Sequence, residues 1–114
     1  MRLVILESPY AGDVERNTLY ARRGLKDSLM RGEAAIASHL LYPQVLNDLI
    51  PSKRQLGIEA GLAWRKVAEA TVVYQDYGIS PGMEYGIQLA NEQGIPIEYR
   101  SIGKNGRLDS KQAV

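Results

Sequence analysis

The residues best suited to chemistry in this sequence are polar side chains in three segments, residues 7–13, 38–48 and 75–84. Each segment follows a short apolar run, and together they hold Glu7, Ser8, Tyr10, Asp13, His39, Asp48, Asp76, Ser80 and Glu84. Glu7 is the least ordinary, because it ends an apolar run and a carboxylate beside a core is costly unless it is paired or used. We therefore expect a partly buried Glu7 with a raised pKa and a role in catalysis. The structural alternative is a salt bridge to an arginine.

The other polar residues each have a structural explanation beside the functional one. Asp13 and Ser80 are typical helix N-caps as well as candidate ligand contacts. Asp76 suits a turn, and Tyr10 either packs or touches a ligand. His39, the single histidine, is expected to be partly buried and to hold its loop. We predict no cofactor and no metal site, because no second histidine or carboxylate pair has ligand spacing.

Alternating strand and helix patterns position these segments. The sequence predicts strands at residues 3–6, 34–37, 71–74 and 95–99 and helices at residues 13–32, 53–69 and 81–93. This alternation predicts a parallel sheet with right-handed crossovers. We expect a single-domain, three-layer α/β sandwich of the Rossmann or flavodoxin-like class, with four or five strands in the order 2-1-3-4. The domain should span residues 1–103, and the polar residues 104–114 should form a flexible tail.

Such a sheet brings the loops that follow its strands together at its carboxyl edge, where open α/β sheets bind ligands. Ser80 and Pro81 predict the start of the helix over residues 81–93. Because a helix N-terminus attracts anions, this turn is expected to hold a phosphate. Ser52 is the predicted N-cap of the preceding helix, at residues 53–69. Apolar spacing predicts the buried side of each of the first two helices. In the helix at residues 13–32 it contains Val14, Ala21, Leu25 and Leu29. In the helix at residues 53–69 it contains Leu56, Ala60, Ala63, Trp64 and Val67.

Composition limits the possible partners. Fourteen basic and 13 acidic residues give a net charge of +1, which offers no electrostatic case for binding a nucleic acid polymer. The absence of cysteine excludes disulfides, zinc thiolate sites and cysteine nucleophiles. No apolar run approaches the roughly 20 residues of a membrane span, so no membrane partner is predicted and the expected location is the cytoplasm.

Four sequence blocks occur in a characteristic order: ESPYAGDVERN at residues 7–17, SHLLY at 38–42, LGIEAGLAW at 56–64 and GISPGM at 78–83. With the strand and helix pattern of roughly residues 2–99, they resemble the nucleoside 2-deoxyribosyltransferase-like superfamily. Within it, they are most similar to an uncharacterised domain family of phages and bacteria. The superfamily includes transferases that exchange bases on deoxyribose and deoxynucleoside monophosphate N-glycosidases.

The resemblance implies a mechanism in which a glutamate on the helix after the Ser-x-Gly turn acts on the anomeric carbon. Cleavage builds positive charge on the sugar, which a carboxylate can stabilise or trap. The glutamate should come four residues after Gly82, but that position is Gly86. Glu84 lies about 200° away around the helix at roughly 100° per residue. The resemblance therefore leaves Glu7 and Glu84 as alternative catalysts.

The same resemblance implies the remaining roles. An aspartate, expected to be Asp76, assists departure of the base. The ligand-binding residues are expected to be Ser8, Tyr10, Asp13, Asn17, His39, Ser80, Gly82 and Met83. Members of the superfamily usually form dimers or larger assemblies, so we expect a homo-oligomer that uses the helices at residues 53–69 and 81–93.

Two functions are compatible with this pattern. The first is an enzyme, a hydrolase or transferase, that acts on the N-glycosidic bond of a nucleoside or nucleotide. The alternative is a non-catalytic, phage-encoded nucleotide binder that senses or sequesters a nucleotide signal, in which Gly86 replaces the usual catalytic glutamate. A purely structural role fits less well, because so many polar groups converge on one sheet edge.

Overall fold

The fold is a four-stranded parallel sheet with helices on both sides. The computed structural model describes residues 1–104; residues 105–114, nearly all of the expected tail, lie outside the described part. The strand order is β2-β1-β3-β4, so the predicted three-layer α/β sandwich with order 2-1-3-4 is confirmed. The elements are β1 (Arg2–Glu7), α1 (Val14–Met30), β2 (Glu33–Ile36), α2 (Ser38–Leu41), a 3-10 helix (Tyr42–Gln44), α3 (Pro51–Arg65), β3 (Ala70–Tyr74), α4 (Pro81–Glu92) and β4 (Ile97–Arg100).

Two of the three predicted helix caps are present. Asp13 caps α1 and Ser80 caps α4, each accepting a backbone N–H from the first turn of its helix. The prediction for Ser52 was wrong, because α3 begins at Pro51 and Ile50 is its cap residue. Proline is favoured at a first helical position, where its missing N–H leaves no bond unmade. Within residues 1–104, no helix is both long and apolar enough to cross a membrane.

The core lies between α1 and the sheet. Val4, Leu6, Val72 and Tyr74 are all buried there. The helix approaches closely at Gly24, where an added Cβ would lie 3.1 Å from Cγ of Tyr74. The predicted apolar stripe of α1 was therefore only partly right. Ala21 is buried, but Val14 and Leu29 are exposed, and small or polar residues occupy the rest of the buried side: Asn17, Tyr20, Gly24 and Ser28.

A buried polar network also joins α1 to the sheet. The carboxylate of Glu33 pairs with Arg100 at 2.7 Å and with Arg2, and it accepts the Ser28 hydroxyl at 2.7 Å. The hydroxyl of Tyr74 donates to Asp27 at 2.7 Å and accepts from Arg100 at 3.1 Å. The bonds from Arg100 are the largest reason that the pKa of Glu33 falls to about 2, although burial acts in the opposite direction.

Little of helix α3 is buried against the rest of the protein, so the prediction of which residues form its buried side was largely wrong. Leu56, Ala63 and Trp64 are exposed, as is Val67 beyond the end of the helix, and Ala60 is half-buried. Arg65 is the buried residue of the helix. The cause is that α3 packs closely against α2 at a glycine. A Cβ on Gly61 would lie 3.2 Å from Oγ of Ser38. Because small residues face the protein, Leu56 and Trp64 are left largely in contact with solvent.

Candidate functional site

The carboxyl edge of the sheet carries a buried ion pair between Glu7 and Arg65. Glu7 is the last residue of β1 and Arg65 the last of α3, and their side chains are 14% and 9% exposed. Nη1 of Arg65 also makes a long bond of 3.4 Å to the carbonyl oxygen of Gly86. Burial raises the pKa of Glu7 above its ordinary value, and the Arg65 guanidinium offsets only part of that rise. The expected partial burial and the salt-bridge alternative are thus both confirmed.

Gly86 provides the space for this pair. A Cβ on Gly86 would lie 2.7 Å from Cδ and Oε2 of Glu7 and 2.6 Å from Nη2 of Arg65. Such distances are too short for carbon, so a side chain at position 86 is incompatible with the pair in this arrangement. The carboxylate of Glu7 therefore occupies the space into which a side chain on α4 would extend. Glu84 is exposed in the first turn of the same helix.

Ser8 and His39 form a second link at this edge. Oγ of Ser8 is 2.7 Å from Nε2 of His39, and Ser8 is buried. Burial lowers the pKa of His39 to about 4, so its ring is neutral near pH 7. The bond joins the start of α2 to the loop that follows β1, as expected of a histidine that holds its loop.

Asn17 and Asp13 shape the loop after β1. The buried amide of Asn17 donates from Nδ2 to the carbonyl oxygens of Tyr10 at 3.0 Å and Ala11 at 3.1 Å. Its Oδ1 accepts from Arg16 at 3.0 Å. Oδ1 of Asp13 accepts the backbone N–H of Arg16 at 3.1 Å. The structure thus places Asn17 beneath the loop, where its amide bonds the chain itself.

Asp76 lies in the turn after β3 and accepts three hydrogen bonds. Oδ2 accepts from the Tyr20 hydroxyl at 2.7 Å and from the N–H of Ile102 at 2.8 Å, and Oδ1 accepts from the N–H of Gly103 at 2.9 Å. Burial alone would raise the pKa of Asp76, but these bonds outweigh it and hold the pKa below its ordinary value. The carboxylate anchors the segment that follows β4.

The first turn of α4 satisfies most of its own backbone donors. The N–H of Met83 donates to Oγ of Ser80 at 3.2 Å, and the N–H of Glu84 donates to the carbonyl of Ser80 at 2.9 Å. Pro81 has no N–H to offer, which leaves the N–H of Gly82. The side chain of Met83 is buried. This is a poorer phosphate site than the sequence pattern predicts.

An open surface cleft of about 600 Å³ adjoins the loop that follows β1. Tyr10 and Val14 form one wall, and residues 43–49 form the other. Asp48 belongs to the second wall, so the structure brings it together with Tyr10. Glu7, Asp76 and residues 80–83 are outside the lining. Among residues 1–104, no three acidic or histidine side chains are grouped so that they could hold a metal ion.

Sequence reasoning missed Arg65, which is 58 positions from its partner Glu7. A signal was present in the spacing of Gly57, Gly61 and Arg65. Residues four apart lie on one side of a helix, and two glycines mark the side that packs closely. An arginine at the next position of that row is directed into the protein and needs an anion there.

The comparisons with known proteins give a family without a known activity. No curated protein and no solved structure shows significant similarity to the chain. Residues 2–100 match the family described as a domain of unknown function, DUF7768. Since this match covers all nine helices and strands described above, the chain belongs to the DUF7768 family.

Proposed function

We propose that this protein binds a nucleoside or nucleotide at the carboxyl edge of its sheet and acts on the N-glycosidic bond, with Glu7 as the catalytic carboxylate. One observation carries the proposal: Glu7 lies 2.7 Å from the position of a Cβ on Gly86. Residue 86 is where the resembled superfamily would carry its glutamate. A carboxylate is thus available in that space, supplied from β1 instead of α4.

The chemistry requires a carboxylate close to the anomeric carbon. An oxygen of Glu7 attacks C1′, and the C–O bond forms as the C–N bond breaks. The electron pair of the C–N bond leaves with the base, which takes up a proton from solvent; the attacking water of the second step returns one. Water then displaces Glu7 to release the sugar, or a second base does so to give a new nucleoside. Because attack requires the ionised form, activity should rise with pH through the raised pKa of Glu7.

Binding without cleavage is the second candidate function, and the ion pair itself favours it. The Arg65 guanidinium neutralises Glu7, whose side chain is only 14% exposed and lies outside the lining of the cleft. A ligand held in the cleft would then be retained intact. Such a protein would sense or sequester a nucleotide signal.

The test incubates the protein with a panel of nucleosides, deoxynucleosides and their 5′-monophosphates. Chromatography measures the free base that is released. Glu7→Gln should abolish release. Glu84→Gln, which removes an exposed carboxylate of α4, should leave release unchanged. A Glu7→Ala/Gly86→Glu double variant returns the carboxylate to the helix and should regain activity over Glu7→Ala. Circular dichroism checks that each variant is folded. Retention of a ligand without release would establish the binder, and neither retention nor release would refute both functions.

We further propose that the protein is a homo-oligomer of the cytoplasm. Leu56 and Trp64 on α3 are about half exposed and lie about 80° apart around the helix at roughly 100° per residue, and a second copy would cover them. A phage-encoded member would act in the cytoplasm of its host.

A further inference from the structure

We infer that the cleft holds the base of an unphosphorylated nucleoside and that Asp48 selects guanine. This inference deepens the proposed function and rests on the nucleoside binding that both candidate functions share, not on the chemistry of Glu7. Its basis is a cleft whose one charged lining residue is the aspartate Asp48. The N-termini of α1 and α4 support it, because most of their first backbone N–H groups already have partners.

The N-terminus of α1 offers little to a phosphate. The N–H of Val14 donates to the carbonyl of Gly12 at 3.0 Å, and the N–H of Asn17 donates to the carbonyl of Asp13 at 2.9 Å. The N–H of Arg16 is taken by the Asp13 side chain at 3.1 Å. An anion-binding helix start needs several free N–H groups. The equivalent turn of α4 keeps only the N–H of Gly82, as described above.

The first turns of both helices also carry negative charge. Glu15 lies in the first turn of α1 and Glu84 in that of α4. A carboxylate at this position interacts favourably with the positive end of the helix dipole. It thereby occupies the role that a ligand phosphate would have, and it repels a second anion.

The lining of the cleft disfavours a phosphate for the same reason. Asp48 is the one charged residue among the described residues that line it. A phosphate placed there would face a carboxylate with no cation from the lining to offset the repulsion. The ring of Tyr10 and the apolar side chains of Val14, Val45 and Leu46 instead suit a flat, uncharged base.

The polar groups of the lining narrow the choice of base. Nε2 of Gln44 donates to the carbonyl of Leu40 at 2.6 Å, and Oδ1 of Asn47 accepts from the N–H of Leu49 at 3.0 Å. These two amides are partly committed to their own segment. Asp48 is exposed and makes no hydrogen bond or ion pair with any residue of the described range. Its carboxylate is therefore the available recognition group of the cleft.

An ionised carboxylate only accepts hydrogen bonds, so the matching edge must present donors. Guanine presents two adjacent donors, the ring N1–H and the exocyclic amino group, which can bond both carboxylate oxygens at once. Adenine and cytosine present an amino group beside a ring acceptor. Thymine and uracil place carbonyl oxygens on both sides of their single N–H. The expected order is guanine first, adenine and cytosine next, and thymine or uracil last.

Isothermal titration calorimetry of the full chain tests this order with deoxyguanosine, deoxyguanosine 5′-monophosphate and thymidine. We expect deoxyguanosine to bind about tenfold or more tightly than either of the others. Asp48→Asn should weaken deoxyguanosine about tenfold and leave thymidine unchanged. Glu59→Gln, which removes an exposed carboxylate of α3 outside the cleft, should change neither affinity.

The outcomes separate this inference from the proposed function. Equal or tighter binding of the monophosphate, or a normal affinity for deoxyguanosine in Asp48→Asn, would overturn the inference. If base release still depends on Glu7 in that case, the proposed function stands without it. If the wild-type chain binds none of the three compounds and releases no base, both fail.

Discussion

The carboxylate of Glu7 lies against Gly86, so that a Cβ added to the glycine would be 2.7 Å from Cδ of the glutamate. The two residues are far apart in the sequence and belong to β1 and α4. Their contact means that the carboxylate and a side chain at position 86 are alternatives for the same space. It also supports the proposal that a carboxylate from β1 stands in for the glutamate that the resembled superfamily carries on this helix.

Gly86→Ala should destabilise the protein by about 1–3 kcal/mol, because the added methyl group overpacks the ion pair. Gly82→Ala is the matched control in the same helix, since its Cβ would meet nothing within 4 Å. That variant should be as stable as the wild type or slightly more stable. Urea unfolding measures both. Equal stability of the two variants would mean that the space at Gly86 is not restricted.

Arg65→Leu should cost about 3–5 kcal/mol near pH 7, because it leaves the buried carboxylate of Glu7 without its partner. Loss of the guanidinium raises the already elevated pKa of Glu7 further. The folded state then binds this proton more tightly than the unfolded chain, so stability falls as pH rises through the folded pKa. Unfolding at pH 4.5 and pH 8 should show the larger deficit at pH 8. Arg54→Leu, an exposed arginine of the same helix, should be nearly neutral at both.

Glu33 should make the protein sensitive to acid. Its pKa falls from 4.5 to about 2 in the folded state, chiefly through its bonds to Arg100. The stabilisation is therefore complete above the ordinary pKa and is lost as pH falls towards 2. Glu33→Gln should lose about 3 kcal/mol or more at pH 7 and show a shallower decline below pH 5. An unchanged acid slope in the variant would contradict the assignment.

His39 gives a spectroscopic test of the second link. Because it is the single histidine, its ring protons are a unique signal in proton NMR. With a pKa of about 4, the signal should not move between pH 5.5 and pH 8. Stability due to the neutral ring is present above 6.5, its ordinary pKa, and is lost as pH falls towards 4. A midpoint near 6.5 in the folded protein would show that the ring is open to solvent.

Self-association through α3 is the last prediction. Leu56 is 52% exposed, and Leu56→Glu should convert an oligomer into a monomer at micromolar concentration because it places a charge in the apolar contact. Leu19→Glu makes the same change at a leucine of α1 that is 53% exposed, outside both helices expected to form the contact, and should leave the assembly intact. Sedimentation velocity measures both. A wild-type monomer at micromolar concentration would contradict the proposed oligomer.

The strands and the caps at Asp13 and Ser80 could be predicted from the sequence because their signals are local. A run of β-branched residues or a Ser-Pro pair determines structure over a few positions. The same local logic predicted Ser52 as a cap, but Pro51 begins the helix one residue earlier. Strand order followed from the alternation of elements, which leaves few topologies.

The packing of the helices could not be predicted in the same way. Periodicity gives the apolar side of a helix but not the side that the fold covers. In α3 the covered side contains Gly57 and Gly61, and Trp64 remains exposed. The candidate site depends on such packing, because Arg65 reaches Glu7 only after α3 has docked on these glycines.

Helix α3 also has a consequence for the order in which the fold opens. Arg65 is its buried residue, so little apolar area resists detachment of the helix, and segments of this kind have the lowest opening free energies. Amide hydrogens of α3 should therefore exchange with solvent before those of α1. Each opening would separate the guanidinium from Glu7 and expose the carboxylate to water, so the helix acts as a reversible cover on the charge of the site.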